Sequence, residues 1–461
     1  VYSPRLRTAL VFDGSGTAGA YQAGVVKALA EAGVKIDVVA GHGAGAMTAL
    51  SAAIDGALAL SGRTSPWLGD RVRRAYRWRP ALKLAAIGML LALSMLLAPL
   101  VVLGGAAVVY GAALATSLAG RTDWTAQLVA AYQSAAQWVF EPAVMPTVVP
   151  RLVVGALLVV AAVLVVTAVK AARQDRSRRR FAGTFWWRLL GSPLSSAEPG
   201  GAAVDALWQM VRGASNAPLP VSAEVGRRYV ETLSDNLGQP GFRELLVAVH
   251  DVDAGCDLVG AVVAPGARGA FAARRPAGGP REAETLDLAG PARELVVDLL
   301  IGACRLPVVT APHPILFAPE SYWRGELHHV CDRPGLSTRL VEELAGVGVE
   351  QAVIVSAAPR PAGPHSLRRR PGGLRARMGA VLRSIEAAAV DDAALVASRR
   401  LSGAFVIRPE HNPIGPFEFE GTYDESSDRR STVQALIDQG YDDAYRQFIE
   451  PIVASGDRLD V

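Results

Sequence analysis

The sequence predicts an α/β protein interrupted by a membrane-spanning helical hairpin, and three observations carry that prediction. Residues 8–12 (TALVF) and 38–41 (VVAG) are buried-strand patterns, each breaking through glycines into a run of helix formers. Residues 84–118 and 152–169 contain no charged side chain. Arginine and lysine cluster on the outer flanks of those two runs. The 461 residues suffice for one large α/β domain with an insertion, and 51% hydrophobic content is high for a soluble chain.

After TALVF come Asp13 and the loop Gly14-Ser15-Gly16-Thr17-Ala18-Gly19, then the helical pattern AYQAGVVKALAEAG with Gly33 as its stop. Gly14, Gly16 and Gly19 have the spacing of a dinucleotide fingerprint, which also needs an acidic residue at the carboxyl end of the second strand. Asp37 precedes VVAG and so lies at the wrong end of that strand. The ligand-facing end holds Gly41-His42-Gly43-Ala44-Gly45 instead. This is a G-x-S-x-G nucleophile elbow with glycine at its centre. The two turns together fit acyl transfer: the glycine-rich loop offers backbone N–H groups to a developing oxyanion, and the elbow carries the attacking group at the same sheet edge.

The second charge-free run would span roughly 27 Å as a helix, close to a hydrocarbon core of about 30 Å. The first is too long for one upright helix and must tilt, kink near Pro99 or Gly104-Gly105, project beyond the bilayer or turn back. Arg71, Arg73, Arg74, Arg77, Arg79 and Lys83 precede it; Lys170, Arg173, Arg176, Arg178, Arg179 and Arg180 follow the second. The stretch from Arg121 to Arg151 is charge-balanced and reads as a loop, with Trp124, Tyr132 and Trp138 at an interface. Both outer flanks are therefore expected in the cytoplasm, with an even number of crossings. The arginine cluster reads as a topology anchor for anionic lipid rather than a nucleic-acid patch. No secretory signal is expected at the start of the chain. Cys256, Cys304 and Cys331 have neither disulfide-framework nor zinc spacing and fit a reducing compartment.

Residues 8–53, with loop, helix and elbow in this order, resemble the opening of the patatin-like phospholipases. Looser likeness continues in FRELLVAVHDVDAG, in LLIGACRLPVVTAPHPILFAPE with HHVCDRPGL, in VEQAVIVSAAP, in FVIRPEHNPIGPFEFEG and in ALIDQGYDDAYRQF. The resemblance implies a three-layer α/β/α domain of residues 1–70 and 181–461, interrupted by the hairpin of 71–180. It implies a Ser–Asp dyad with Gly43 at the nucleophile position, Asp332 as its partner, and an oxyanion loop of Gly14, Ser15, Gly16, Thr17 and Gly19. Gly41, His42, Ala44 and Gly45 form the elbow around Gly43. It implies no metal or organic cofactor, no nucleic acid, and membrane lipids or acyl esters and the lipid bilayer as partners; the identity of any protein partner stays open.

The chain departs from that pattern where the chemistry would sit. Gly43 has no hydroxyl, Ala18 stands where many relatives have arginine, and Asp332 is followed by Arg333-Pro334 instead of two small residues. The expected protein is a membrane-anchored, catalytically silent relative that binds lipid or serves as a scaffold. The alternative is a working phospholipase or lipid esterase with another nucleophile, or one in which Gly43 is an engineered or erroneous replacement of serine. As substitutes, Ser15 would occupy space its substrate needs, and His42 is expected to point away as a packed or solvent-bonded side chain. Because the D-G-G match at Asp332 is incomplete, an ordinary surface turn is the alternative there; His328-His329 beside Cys331 read as strand surface, and residues 359–373 as a solvated basic loop.

Overall fold

The computed structural model describes residues 2–54, 60–62, 65–120, 122–141, 143, 147–174, 191–213, 215–272, 283–360 and 372–454. The expected boundary at 180–181, Arg176 to Arg180, and residues 361–371 of the basic loop lie outside these. So do the side chains of Lys170 and Arg173. The chain forms two units, Val1–Arg77 with Leu194–Val461, and Trp78–Pro193. Residues 71–77, expected in the insert, belong to the first unit, where Val72, Ala75 and Tyr76 are buried.

The first unit is built on a nine-stranded mixed sheet. In chain order its strands are β1 (Thr8–Asp13), β2 (Val38–Gly41), β3 (Glu244–Asp251), β4 (Cys256–Val262), β5 (Thr285–Asp287), β6 (His313–Leu316), β7 (Leu327–Cys331), β8 (Gln351–Ser356) and β9 (Gly403–Ile407). The order across the sheet is β5-β4-β3-β2-β1-β8-β9, with β7 beside β3 and β6 beside β7. β1, β2 and β8 are parallel and wholly buried, which is why their sequences are continuous apolar runs rather than alternating ones. Register aligns Phe12 with Gly41 and Asp13 with Ser356, so the carboxyl ends of all three strands share one edge. Asp37 lies at the other end, where its carboxylate accepts the Thr8 N–H at 2.8 Å.

Helices cover both faces. The helices α1 (Ala18–Glu31) and α2 (Ala44–Ala53) follow β1 and β2; in chain order α3 to α5 belong to the second unit. They are followed by α6 (Ala197–Arg212), α7 (Ser222–Asp235), α8 (Val296–Ala303), α9 (Leu336–Gly346), α10 (Leu374–Arg400) and α11 (Val433–Ala444). Ala9, Val11 and Ile354 meet α9 and α10 in one core, while α2 lies on the opposite face, where Gly45 rests on Phe12. A small hairpin, β10 (Thr422–Asp424) with β11 (Arg429–Ser431), precedes α11.

The second unit holds α3 (Pro80–Leu118), α4 (Thr122–Phe140) and α5 (Val149–Gln174). α3 is one continuous helix of 39 residues with Pro99 inside it, roughly 58 Å long at 1.5 Å per residue. α3 and α5 are long and apolar enough to cross a membrane, and little of either is buried. The stretch expected as a loop is largely helical, α4. Nothing in TDWTAQLVAAYQSAAQWVF breaks a helix, and Gly120 (φ +75°) makes the turn that separates it from α3. The Tyr132 hydroxyl fixes α4 to α3 by donating to the Val102 carbonyl at 2.6 Å.

Backbone touches backbone where α1 packs on α11. A Cβ on Gly24 would fall 1.8 Å from the Ile437 carbonyl oxygen, and one on Gly440 would fall 2.1 Å from that of Tyr21. Gly24→Ala and Gly440→Ala are each expected to destabilise the α/β unit by about 1–3 kcal/mol, since the helices must separate. Thermal unfolding followed by tryptophan fluorescence checks this, and an unchanged midpoint would contradict the packing.

Candidate active site

Four chain segments bring titratable groups to the carboxyl edge of the sheet: Asp13 ends β1, His42 follows β2, Asp332 follows β7, and Glu386 projects from α10. All four are buried. His42 lies between two carboxylates, with Nδ1 2.9 Å from Asp332 Oδ1 and Nε2 2.8 Å from Asp13 Oδ1. The remaining oxygens are also bonded: Ser15 Oγ donates to Asp332 Oδ2 at 2.8 Å, and Ser356 Oγ to Asp13 Oδ2 at 3.2 Å. Burial by itself would lower the His42 pKa, but the two facing carboxylates outweigh it and push it up to about 10. His42 is thus an imidazolium that donates from both nitrogens. For Glu386, burial and the negative charge of Asp13 push the pKa up to about 8.

Gly43 caps the amino end of α2 with φ 59° and ψ −134°. For a residue with a side chain that backbone costs on the order of 1–3 kcal/mol. A Cβ there would fall 2.7 Å from Asp332 Oδ2 and 2.7 Å from the Gly14 carbonyl oxygen. Gly43 and Asp332 are therefore brought face to face. Gly41 and Gly45 stand within the same tight turn, and the Ala44 N–H donates to the Gly14 carbonyl at 3.0 Å, tying elbow to loop.

Two N–H groups of the glycine-rich loop are used by the protein itself. That of Ser15 donates to Glu386 Oε1 at 2.9 Å, and that of Thr17 to the Pro416 carbonyl at 3.2 Å. Thr17 Oγ1 adds a bond to the Gly415 carbonyl at 2.9 Å. Gly16 (φ 59°) lies so close under Pro416 that a Cβ would fall 1.9 Å from its oxygen. Gly19 is covered by the Trp67 ring. Beside the loop and elbow is an apolar cavity of about 30 Å³, bordered by Gly16, Ala44, Met47, Trp67, Tyr76 and Phe419. That is room for about one water molecule. Tyr76, a non-glycine residue at φ 51°, has its hydroxyl on the Cys304 carbonyl at 2.8 Å and its ring 5.7 Å from Phe417 and 6.1 Å from Phe419.

The description Patatin-like phospholipase matches residues 10–332, from within β1 to Asp332 itself. The chain belongs to the patatin-like phospholipase family. A lipid acyl-hydrolase-like function with lipid substrates is what this membership supports. Among solved structures, VipD from Legionella pneumophila aligns over 97% of this chain and 67% of its own at 13% identity, with a TM-score of 0.29. No curated protein matches the chain.

Several sequence expectations are corrected by this patatin-like site. For Asp332 it is the alternative of a surface turn that fails, since the residue is fully buried: its N–H donates to the Arg305 carbonyl at 2.7 Å, and Arg333 turns outward to grip Asp257 at 2.6 Å. His42 does not point away from the site; it is the site's central ion. His328 is buried against Asp251 at 2.5 Å rather than lying on the strand surface, while His329 bonds Asp253 at 2.8 Å. Among the described residues no His, Cys, Asp and Glu side chains gather as metal ligands. Glu386 was missed altogether. Its only signal is a lone acid inside SIEAAAV, among residues small enough to be buried.

These charges set a pH profile. The His42 pKa is raised above the ordinary 6.5, so its contribution is full below that value and lost as pH rises toward about 10. Glu386 keeps its proton in the fold, so stability also falls as pH rises from 4.5 through about 8. Glu386→Gln, which preserves the acceptor for the Ser15 N–H, is expected to flatten the profile between those two values. His42→Ala leaves two carboxylates buried without their cation and is expected to cost about 3–5 kcal/mol. Thermal unfolding between pH 4.5 and 10 measures both; a parent profile that rises with pH would contradict the assignment.

Proposed function

We propose that this chain is a membrane-anchored patatin-like protein that has lost ester cleavage and acts by binding lipid or as a scaffold. The carrying observation is Gly43: it has no side chain to attack, and both oxygens of the facing Asp332 are already bonded to His42 and Ser15. Use of the Ser15 and Thr17 N–H groups by Glu386 and Pro416 supports the same reading, because a developing oxyanion would compete with acceptors already in place. Anchoring through α3 and α5 is supported by their exposed apolar surfaces and the basic residues before α3. β1 and β2 precede the insert, and β3 to β9 follow it in the same sheet. An even number of crossings satisfies that connectivity, with the α/β unit on the cytoplasmic side.

One observation favours a second reading, that of a working lipid esterase. Ser15 Oγ donates to the Asp332 oxygen that faces Gly43. In that reading Ser15 Oγ would attack the ester carbonyl while Asp332 takes its proton; the alcohol would leave with that proton, and water would release the acid from Ser15. Its weakness is that the Ser15 N–H is spent on Glu386 and the hydroxyl is buried.

The test is hydrolysis of a short-chain chromogenic ester and a phospholipid by the purified protein in detergent. The parent, Ser15→Ala and Asp332→Ala are all expected to match the protein-free blank. Turnover in the parent that both substitutions abolish would establish the second reading instead. Gly43→Ser is expected to lose about 1–3 kcal/mol without gaining turnover, because its Cβ collides with Asp332 and the Gly14 carbonyl. Robust hydrolysis by Gly43→Ser would show that Asp332 can move aside.

A further inference from the structure

We propose that the groove between Arg73, Arg74, Arg77 and Arg430 binds the phosphate of an anionic phospholipid headgroup. This rests on the lipid-binding reading above and assigns it a place. The groove measures about 740 Å³, the size of ligand sites in general, whereas the cavity beside the elbow holds about 30 Å³.

Its arginines come from two distant parts of the chain, the segment before α3 and strand β11. All four are exposed, and among the described residues two carboxylates line the groove with them, Asp70 and Glu420. Arg77 bonds Glu420 at 3.0 Å, Arg73 reaches Asp70 only at 3.8 Å, and Arg430 donates to the Glu420 backbone carbonyl at 3.2 Å. Arg74 has no ion-pair partner among the described residues. Four guanidinium groups bordering one groove carry more positive charge than two carboxylates offset, and their forked donors match phosphate oxygens. Thr432, Val433 and Gln434 at the amino end of α11 form another wall, which adds the positive end of a helix dipole.

The remaining wall favours a lipid over a free phosphate. Trp67, Leu68 and Phe419 give it an apolar side. Trp67 and Phe419 also border the small cavity beside Gly16 and Ala44. The indole Nε1 of Trp67 is buried without a hydrogen-bond partner among the described residues. From Arg77 the chain runs into the apolar helix α3 within three residues.

The experiment measures binding of dioctanoyl phosphatidylglycerol to the full chain in uncharged detergent, by calorimetry or native mass spectrometry. Arg74→Gln with Arg430→Gln is expected to weaken binding about tenfold or more, and added salt is expected to weaken the parent's binding further. Dioctanoylglycerol, which lacks the phosphate, is expected to bind weakly, and inorganic phosphate is expected not to displace the lipid. Unchanged affinity in the double variant, with its unfolding midpoint intact, would overturn the proposal. So would equal binding of dioctanoylglycerol, or inorganic phosphate binding as tightly as the lipid. Octanoate release is followed in the same samples: its appearance would overturn the silent reading while leaving the groove's test independent.

Discussion

The imidazolium of His42, held between the carboxylates of Asp13 and Asp332, is the interaction on which the rest of this structure depends. It ties the carboxyl ends of β1 and β2 to the turn after β7, segments that lie far apart in the chain. Buried ions are tolerated only when their bonding capacity is used. Here Ser356 takes the second oxygen of Asp13 and Ser15 that of Asp332. Glu386 then extends the network into α10 through the Ser15 N–H.

In the proposed silent reading, the same closure is what keeps the site from chemistry. A hydrolase needs an aspartate free to accept a proton and backbone donors waiting for negative charge. In this chain Asp332 neutralises an imidazolium, Glu386 and Pro416 take loop donors, and Trp67, Tyr76 and Phe419 leave beside the elbow little more than a water's volume. Gly43 is the most visible change, but it is one part of a site whose polar groups answer one another. In the proposed function, recognition of lipid therefore shifts away from the reaction centre to the arginine groove, on the far side of the Trp67 and Phe419 wall.

The helical insert fits that division of labour. Residues 71–77 fold with the α/β unit through buried Val72, Ala75 and Tyr76, so the stretch leading into α3 also helps cover the elbow. In the membrane-anchored reading, the element that enters the bilayer and the one that fills the old acyl site are consecutive in sequence. Their chemistry differs accordingly: apolar residues face inward on the covering segment and outward along α3.

Local sequence by itself determined the strand-to-helix turns, because glycine at a sharp turn and continuous apolar strands leave few alternatives. The loop Gly14–Gly19, the elbow around Gly43, α1 with its Gly33 stop, and the two charge-free helices were all legible in this way. The family was legible because both turns occur in a fixed order. Other features arose only in the tertiary structure, for a common reason: they join residues far apart in the chain that carry no local mark of their partners. The burial of Asp332 depends on β7 meeting β3, and the place of His42 depends on three strands ending at one edge. Glu386 reaches the loop from a helix whose own periodicity gives no hint of it. Local pattern specifies the backbone's turns, whereas the charge pairing that occupies the site follows from which strand ends the fold brings together.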